Sequence, residues 1–199
     1  MPRLPSSLLA EAADLLVRLI PPQVRSLNIG ETVYSLRIWY HGSDSFTSDW
    51  TPWLMLPKES VRQQALAERK NTAPHYIWCA DELTSPNQTI QTGLKDPRLV
   101  TSLRAWYEGN DWETGTDADQ LQPIRETVEG VCARLNALNW RQYAPVTDDF
   151  IVFPADASHT FGDYDQLVAS VPAERIQLLR DRGFLGGVRW YELDSSSGG

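Results

Sequence analysis

The sequence predicts an α+β fold, a single domain in which helices pack on an antiparallel or mixed sheet. Segments with helical spacing and segments with strand alternation both occur, but not in the regular strand–helix rhythm of a parallel sheet. No internal repeat or interior linker divides the 199 residues, which suffice to bury a core. We expect residues 1–194 to form the domain and residues 195–199 to be a flexible tail.

The N-terminal part predicts one helix and two strands. The helix begins at Ser6 or Ser7 and ends at Ile20, because Pro21 and Pro22 follow. Residues 31–41 alternate as a half-buried strand does, and residues 50–56 form its antiparallel partner after a long hairpin loop. Pro52 places the second strand at an edge or makes it begin later. The two faces of the first strand are Tyr34, Leu36, Ile38 and Tyr40 against Ser35, Arg37 and His41.

The middle of the chain predicts helices at residues 58–70 and from Asp96-Pro97 to about Gly109. Val61 and Leu66 are the expected anchors of the first of these helices. Residues 76–80 form an apolar run that we interpret as a strand, and residues 85–93 are expected to be a loop.

The C-terminal part contains the strongest helical pattern, over residues 119–139. Residues 150–153 predict a buried strand, and residues 188–193 predict a last one. Two short helices begin at Asp163 and within residues 170–174, and Gly183 is suited to end the second. The stripe of the long helix comprises Ile124, Val128, Val131, Leu135 and Leu138.

The charge balance argues against nucleic acid as a partner. Asp and Glu number 26 and Lys and Arg 18, so the net charge is −8. Basic residues are scattered, with the densest group at Arg175, Arg180 and Arg182, whereas nucleic-acid binders concentrate them on one face. An acidic protein instead attracts a basic protein partner and speeds its encounter.

The apolar stretch 8–20 predicts neither a signal peptide nor a membrane span, because Glu11, Asp14 and Arg18 interrupt it. Cys79 and Cys132 lie in apolar runs, where a free cysteine behaves as a small hydrophobe. We expect a cytoplasmic protein that makes no membrane contact.

No sequence motif for catalysis, cofactor binding or metal binding is present, so we expect none of these sites. His75 and Cys79 are four apart, which on a strand separates them by about 13 Å. The acidic loop around Asp111 lacks the glycine and glutamate of a calcium loop. Asp148 and Asp149 are adjacent, so on a strand they point in opposite directions, and we expect them to end a loop.

Tryptophan is the unusual feature of the composition, with eight residues. Trp78 and Trp106 lie in apolar patterns typical of a core. Three others lie in or beside polar loops, where tryptophan often contributes to protein interfaces. The candidate binding residues are therefore Trp50, Trp53, Trp112, Asp111 and Glu113.

Residues 148–153, 164–174 and 178–183 resemble segments of small uncharacterised bacterial proteins, some of them regarded as immunity proteins found beside polymorphic toxins. The resemblance spans residues 148–183, about a fifth of the chain, and carries no catalytic residues. It implies a non-enzymatic protein that binds and blocks a partner.

Three functions are compatible with these observations. The first is an acidic, immunity-type module that binds a protein. The second is a small-molecule enzyme, hydrolase-like, whose site forms only in the fold and would include His41, His75 or His159. The third is a self-associating structural subunit. The oligomeric state stays open.

Overall fold

A computed structural model describes residues 6–40, 52–69, 72–79, 83, 85–108, 118–156 and 163–185. These residues form a central four-stranded sheet with helices packed on it, which confirms the α+β class. β1 pairs with β4 in parallel, and the other neighbouring strands are antiparallel, so the sheet is mixed. In spatial order the strands are β3 (Thr89–Gly93), β2 (Trp53–Pro57), β1 (Val33–Tyr40) and β4 (Val146–Asp156).

Two hydrophobic clusters lie on opposite faces of the sheet, since alternate residues of β4 belong to different clusters. The first cluster joins the sheet to α1 (Ser6–Ser26), α4 (Pro97–Glu108) and α5 (Ala118–Asn136). The second joins it to α2 (Glu59–Arg69), α3 (Ala73–Trp78), α6 (Asp163–Ser170) and α7 (Ala173–Asp181). No helix in the described ranges combines the length and apolarity that crossing a membrane requires.

β1 is buried on both faces, so the prediction of a half-buried strand is wrong. Ser35 and Arg37 are completely buried, like the apolar residues between them and around them. Tyr34 belongs to the second cluster, whereas Leu36 belongs to the first. The pairing of β1 with β4 shifts register between Val33 and Ser35, which breaks the simple alternation that the sequence suggested.

α1 continues through Pro21 and Pro22, so the predicted end at Ile20 is wrong. Prolines cannot donate the backbone hydrogen bonds of a helix, but the last turns gain other contacts. Val24 is fully buried. The Gln23 side chain donates to Thr92 Oγ1 of β3 at 3.0 Å. Tertiary packing therefore outweighs the local helix-breaking signal.

Two other segments differ from their predictions. The apolar run predicted as a strand is the helix α3, which has Pro74 in its first turn, where proline is tolerated. The predicted loop 85–93 contains β3, which forms along the edge of β2. In α2 the anchors are also different, because Arg62 and Ala65 are buried whereas Val61 and Leu66 are only partly so.

Most helix limits agree with the sequence. Asp96 Oδ1 accepts hydrogen bonds from the backbone N–H of Arg98 at 2.9 Å and Leu99 at 3.4 Å, as an N-cap does. β2 begins at Trp53, just after Pro52. α5 ends at Asn136, which leaves Leu138 beyond it and 37% exposed. The strand predicted at 188–193 lies outside the described residues.

Gly183 ends α7 with a φ of +76°, as the sequence indicated.

Candidate functional site

Trp53 lies at the start of β2 and is 50% exposed. It pairs directly with Trp39 of β1 and with Gly93 of β3. Directly paired residues on neighbouring strands point to the same face, so the two indoles are neighbours. A Cβ built on Gly93 would have nothing within 4 Å, which leaves the space on that side of Trp53 open. We call Trp39, Trp53 and Gly93 the tryptophan surface.

Trp53 is the one member of the predicted binding set that lies in the described residues. Trp50, Trp112, Asp111 and Glu113 lie outside them. Apart from the partly buried Trp39, the other described tryptophans belong to the core, as the sequence indicated for two of them. Trp78, Trp106 and Trp140 are each at least 95% buried.

An ion-pair cluster of Asp149, Arg62 and Arg182 lies on the opposite end of the strands, at the start of β4. The Asp149 carboxylate, 0% exposed, accepts two hydrogen bonds from Arg62, with Nη1–Oδ2 and Nη2–Oδ1 both 3.1 Å. Arg182 Nη1 lies 2.9 Å from Asp149 Oδ2. Asp148 and Asp149 therefore lie within β4, and the prediction that they end a loop is wrong.

The electrostatics of this cluster favour a fixed structural anion. Burial by itself raises the pKa of the Asp149 carboxyl, but hydrogen bonds and the two guanidinium groups outweigh it and lower that pKa below its ordinary value. Arg62 is held between the rings of Tyr34 and Phe184, with its guanidinium carbon 4.9 Å and 4.3 Å from their centroids. Burial raises the pKa of Tyr34 to about 12. Neither Asp149 nor Tyr34 therefore exchanges a proton near neutral pH.

Other buried polar groups are equally unsuited to proton transfer. Tyr40 donates a 2.7 Å hydrogen bond to Gln166 Oε1, and burial raises the pKa of its hydroxyl far above the ordinary value. Burial likewise raises the pKa of the Cys132 thiol, which keeps it protonated and unreactive.

The described residues contain no group of three or more His, Cys, Asp or Glu side chains that is arranged to hold a metal. His75 and Cys79 are not on a strand, because His75 lies in α3 and the Cys79 N–H donates to the His75 carbonyl at 2.8 Å. His41 and His159 lie outside the described residues.

A polar cleft of about 210 Å³ lies between the α5–β4 connection and α7. Arg141 and Arg175 line it, but Asp148 engages both. Asp148 Oδ1 is 3.8 Å from Arg141, and the Asp148 carbonyl accepts from Arg175.

Sequence reasoning did not find the buried charges Arg37, Arg62 and Asp149. Arg62 and Asp149 are 87 positions apart, so no local pattern links them. Arg37 was assigned to the second face of a half-buried strand, and that face is covered in the structure. The one usable signal was the adjacency of Asp148 and Asp149, which predicted opposite directions correctly: Asp148 is 75% exposed and Asp149 is buried.

No family model matches the chain, and neither a curated protein nor a solved structure matches it significantly.

Proposed function

We propose that the protein is a non-enzymatic module that binds a basic protein partner through the tryptophan surface. The half-exposed Trp53 carries this proposal. An indole exposed beside a second tryptophan is a large apolar area that gains free energy when a partner covers it, and tryptophan is enriched among interface hot spots. The net charge of −8 complements a basic partner and accelerates association.

The resemblance of segments in the C-terminal third to small bacterial proteins, some of them regarded as immunity proteins, suggests what the binding does. In that class of protein, binding blocks a toxin. We therefore propose that the partner is a basic toxin whose gene lies beside the gene for this protein. This part of the proposal requires that the tryptophan surface is accessible to the toxin. The 50% exposure of Trp53 supports this.

The decisive experiment compares wild-type protein with Trp53→Ala. The purified product of the adjacent gene is the probe, and its association and dissociation rates are measured from low to high salt. We expect Trp53→Ala to weaken binding by at least about 30-fold, as loss of a hot spot of ~2 kcal/mol does. Association should slow as salt rises, because salt screens exposed charges.

Leu138→Ala is the matched control, since Leu138 is also an exposed apolar residue but lies beside Val146 at the start of β4. It should bind as the wild type does. Absence of binding, or equal affinity of Trp53→Ala and wild type, would refute the proposal. The mass of the protein alone is also measured over a range of concentrations. If the wild type associates as concentration rises and Trp53→Ala does not, the tryptophan surface joins two copies. The self-association hypothesis then replaces the proposal of a basic partner.

A further inference from the structure

Arg37 is a buried cation at the middle of the sheet. It lies on β1 between β2 and β4, opposite Met55 and Phe153, and its side chain has no exposed surface. Nη2 donates to the carbonyl of Ile77 at the end of α3. The guanidinium carbon lies 5.3 Å from the centroid of the Phe153 ring. These contacts fix the guanidinium in one orientation.

Most of the donor capacity of Arg37 is unused. Its Nε and Nη1 atoms are buried and have no hydrogen-bond acceptor among the described residues. The same holds for Trp39 Nε1, two residues along β1 and therefore on the same face. Buried donors almost always have a partner, so unpaired donors on neighbouring side chains indicate a missing acceptor.

Among the described residues, no counter-charge compensates Arg37 either. Its neighbour Arg62 is paired with Asp149 and with Glu59, whose Oε2 lies 2.7 Å from Arg62 Nε. No described carboxylate lies within ion-pairing distance of Arg37. A guanidinium does not lose its proton in a protein, so burial without a counter-charge is strongly unfavourable. Water would satisfy the donors but would leave the charge unbalanced.

We propose that Arg37 and Trp39 hold a small anion inside the fold, with Arg37 Nε and Nη1 and Trp39 Nε1 as its donors. The donors are closed off from solvent, which favours a compact anion with halide or carboxylate chemistry. Trp39 belongs to both sites, but it would bind the anion through its buried Nε1, so the anion site does not require a partner to cover Trp53. The bound anion would neutralise the charge of Arg37 beside the end of α3 and so stabilise the native state.

The test is the anion dependence of unfolding. Wild-type protein is unfolded with urea at constant ionic strength while sodium gluconate is replaced by sodium chloride in one series and sodium acetate in another. An anion that binds only the native state raises the folding equilibrium constant about tenfold for each tenfold rise in concentration above its Kd. We expect this response to chloride or acetate, which identifies the halide or the carboxylate as the ligand.

Arg37→Met should abolish the response, because methionine fills space without donors or charge. Arg134→Met is the control, since it removes one positive charge from an exposed ion pair with Asp14; it should retain the full response. A wild type that ignores both anions, or an Arg37→Met protein that responds as the wild type does, overturns the proposal. Trp39→Phe should weaken the response several-fold by removing one donor.

If Arg37→Met does not fold, crystals of the wild type soaked in bromide decide the question. An anomalous peak within hydrogen-bonding distance of Arg37 and Trp39 is expected if the ligand is a halide, and ordered acetate at the same place if it is a carboxylate. Water alone in both crystals would overturn the proposal.

Discussion

Adjacent aspartates of β4 have opposite environments, and the difference determines what each contributes to stability. Asp149 is buried between Arg62 and Arg182, whereas Asp148 is 75% exposed and makes longer ion pairs. A buried charge that loses its partner leaves the other charge uncompensated, but an exposed pair is screened by water. Residue 149 is therefore expected to be sensitive to substitution and residue 148 tolerant.

Asp149→Asn should lower the free energy of unfolding at pH 7 by about 3–5 kcal/mol, because Arg62 then stays buried without its counter-charge. The pKa of Asp149 is lowered in the folded protein. Its contribution is therefore present above the unfolded pKa of about 3.9 and is lost as pH falls through the folded value. Urea unfolding between pH 7 and pH 2 should show that the free energy of unfolding falls less with acidification in Asp149→Asn than in wild type.

Asp148→Asn is the matched control, the same substitution one residue earlier. It should change the free energy of unfolding by no more than about 0.5 kcal/mol. Equal losses of unfolding free energy in the two variants would show that the buried ion pairs of Asp149 contribute no more to stability than the exposed ones of Asp148.

At the scale of elements, β4 is at the edge of the sheet among the described strands, and a side chain protects that edge. Asn136, the last residue of α5, accepts from the Val152 N–H at 2.8 Å and donates to the Val152 carbonyl at 2.7 Å. It also donates to the Ser170 carbonyl of α6 at 3.1 Å. The amide thus occupies the backbone groups that another strand would pair with, which is a common way to prevent association of sheet edges.

Asn136→Ala should destabilise the protein by about 1–3 kcal/mol, because it leaves buried backbone groups of β4 without partners. Hydrogen exchange should show faster exchange of the Val152 amide in the variant, and light scattering should show more association on mild heating. Asn139→Ala, an exposed position three residues later, is the control and should change neither. Unaltered exchange at Val152 in Asn136→Ala would exclude the protective role.

The sequence predicts some elements better than others, for identifiable reasons. The long amphipathic helices α4 and α5 were found because each buries one stripe of its own residues. β3 was missed because Thr-Ile-Gln-Thr-Gly has little apolar content and becomes a strand only along β2. α3 was assigned as a strand because Tyr76, Ile77 and Trp78 are residue types that favour strands. Short elements depend on neighbours that a local pattern does not contain.

At the scale of the whole molecule, the α+β class and the exposed Trp53 followed from the sequence, but the buried charges did not. Periodicity distinguishes apolar faces, and it does not reveal that both faces of β1 are covered. The sequence placed Arg37 on the second face of a half-buried strand and did not predict its complete burial. The interpretation of the chain as a single domain stays a prediction. It can be tested by asking whether the whole chain unfolds cooperatively.

A single domain should unfold in one step. Because β1 and β4 take part in both hydrophobic clusters, loss of either strand would disrupt the two helix layers together. Calorimetry should give one transition whose van 't Hoff and calorimetric enthalpies agree, and fluorescence and circular dichroism should give the same midpoint. Two transitions would show that the chain divides into separately folding parts.

The parallel pairing of β1 with β4 also determines when the fold can form. Val33 pairs with Val146, so β1 gains its second neighbour only after most of the chain has been synthesised. Until then a nascent chain presents one unpaired edge of β1, a strand rich in apolar residues, and such an edge is prone to aggregate. Native contacts over such sequence distances form slowly. We therefore expect the nascent chain to be most prone to aggregate until β4 has left the ribosomal exit tunnel.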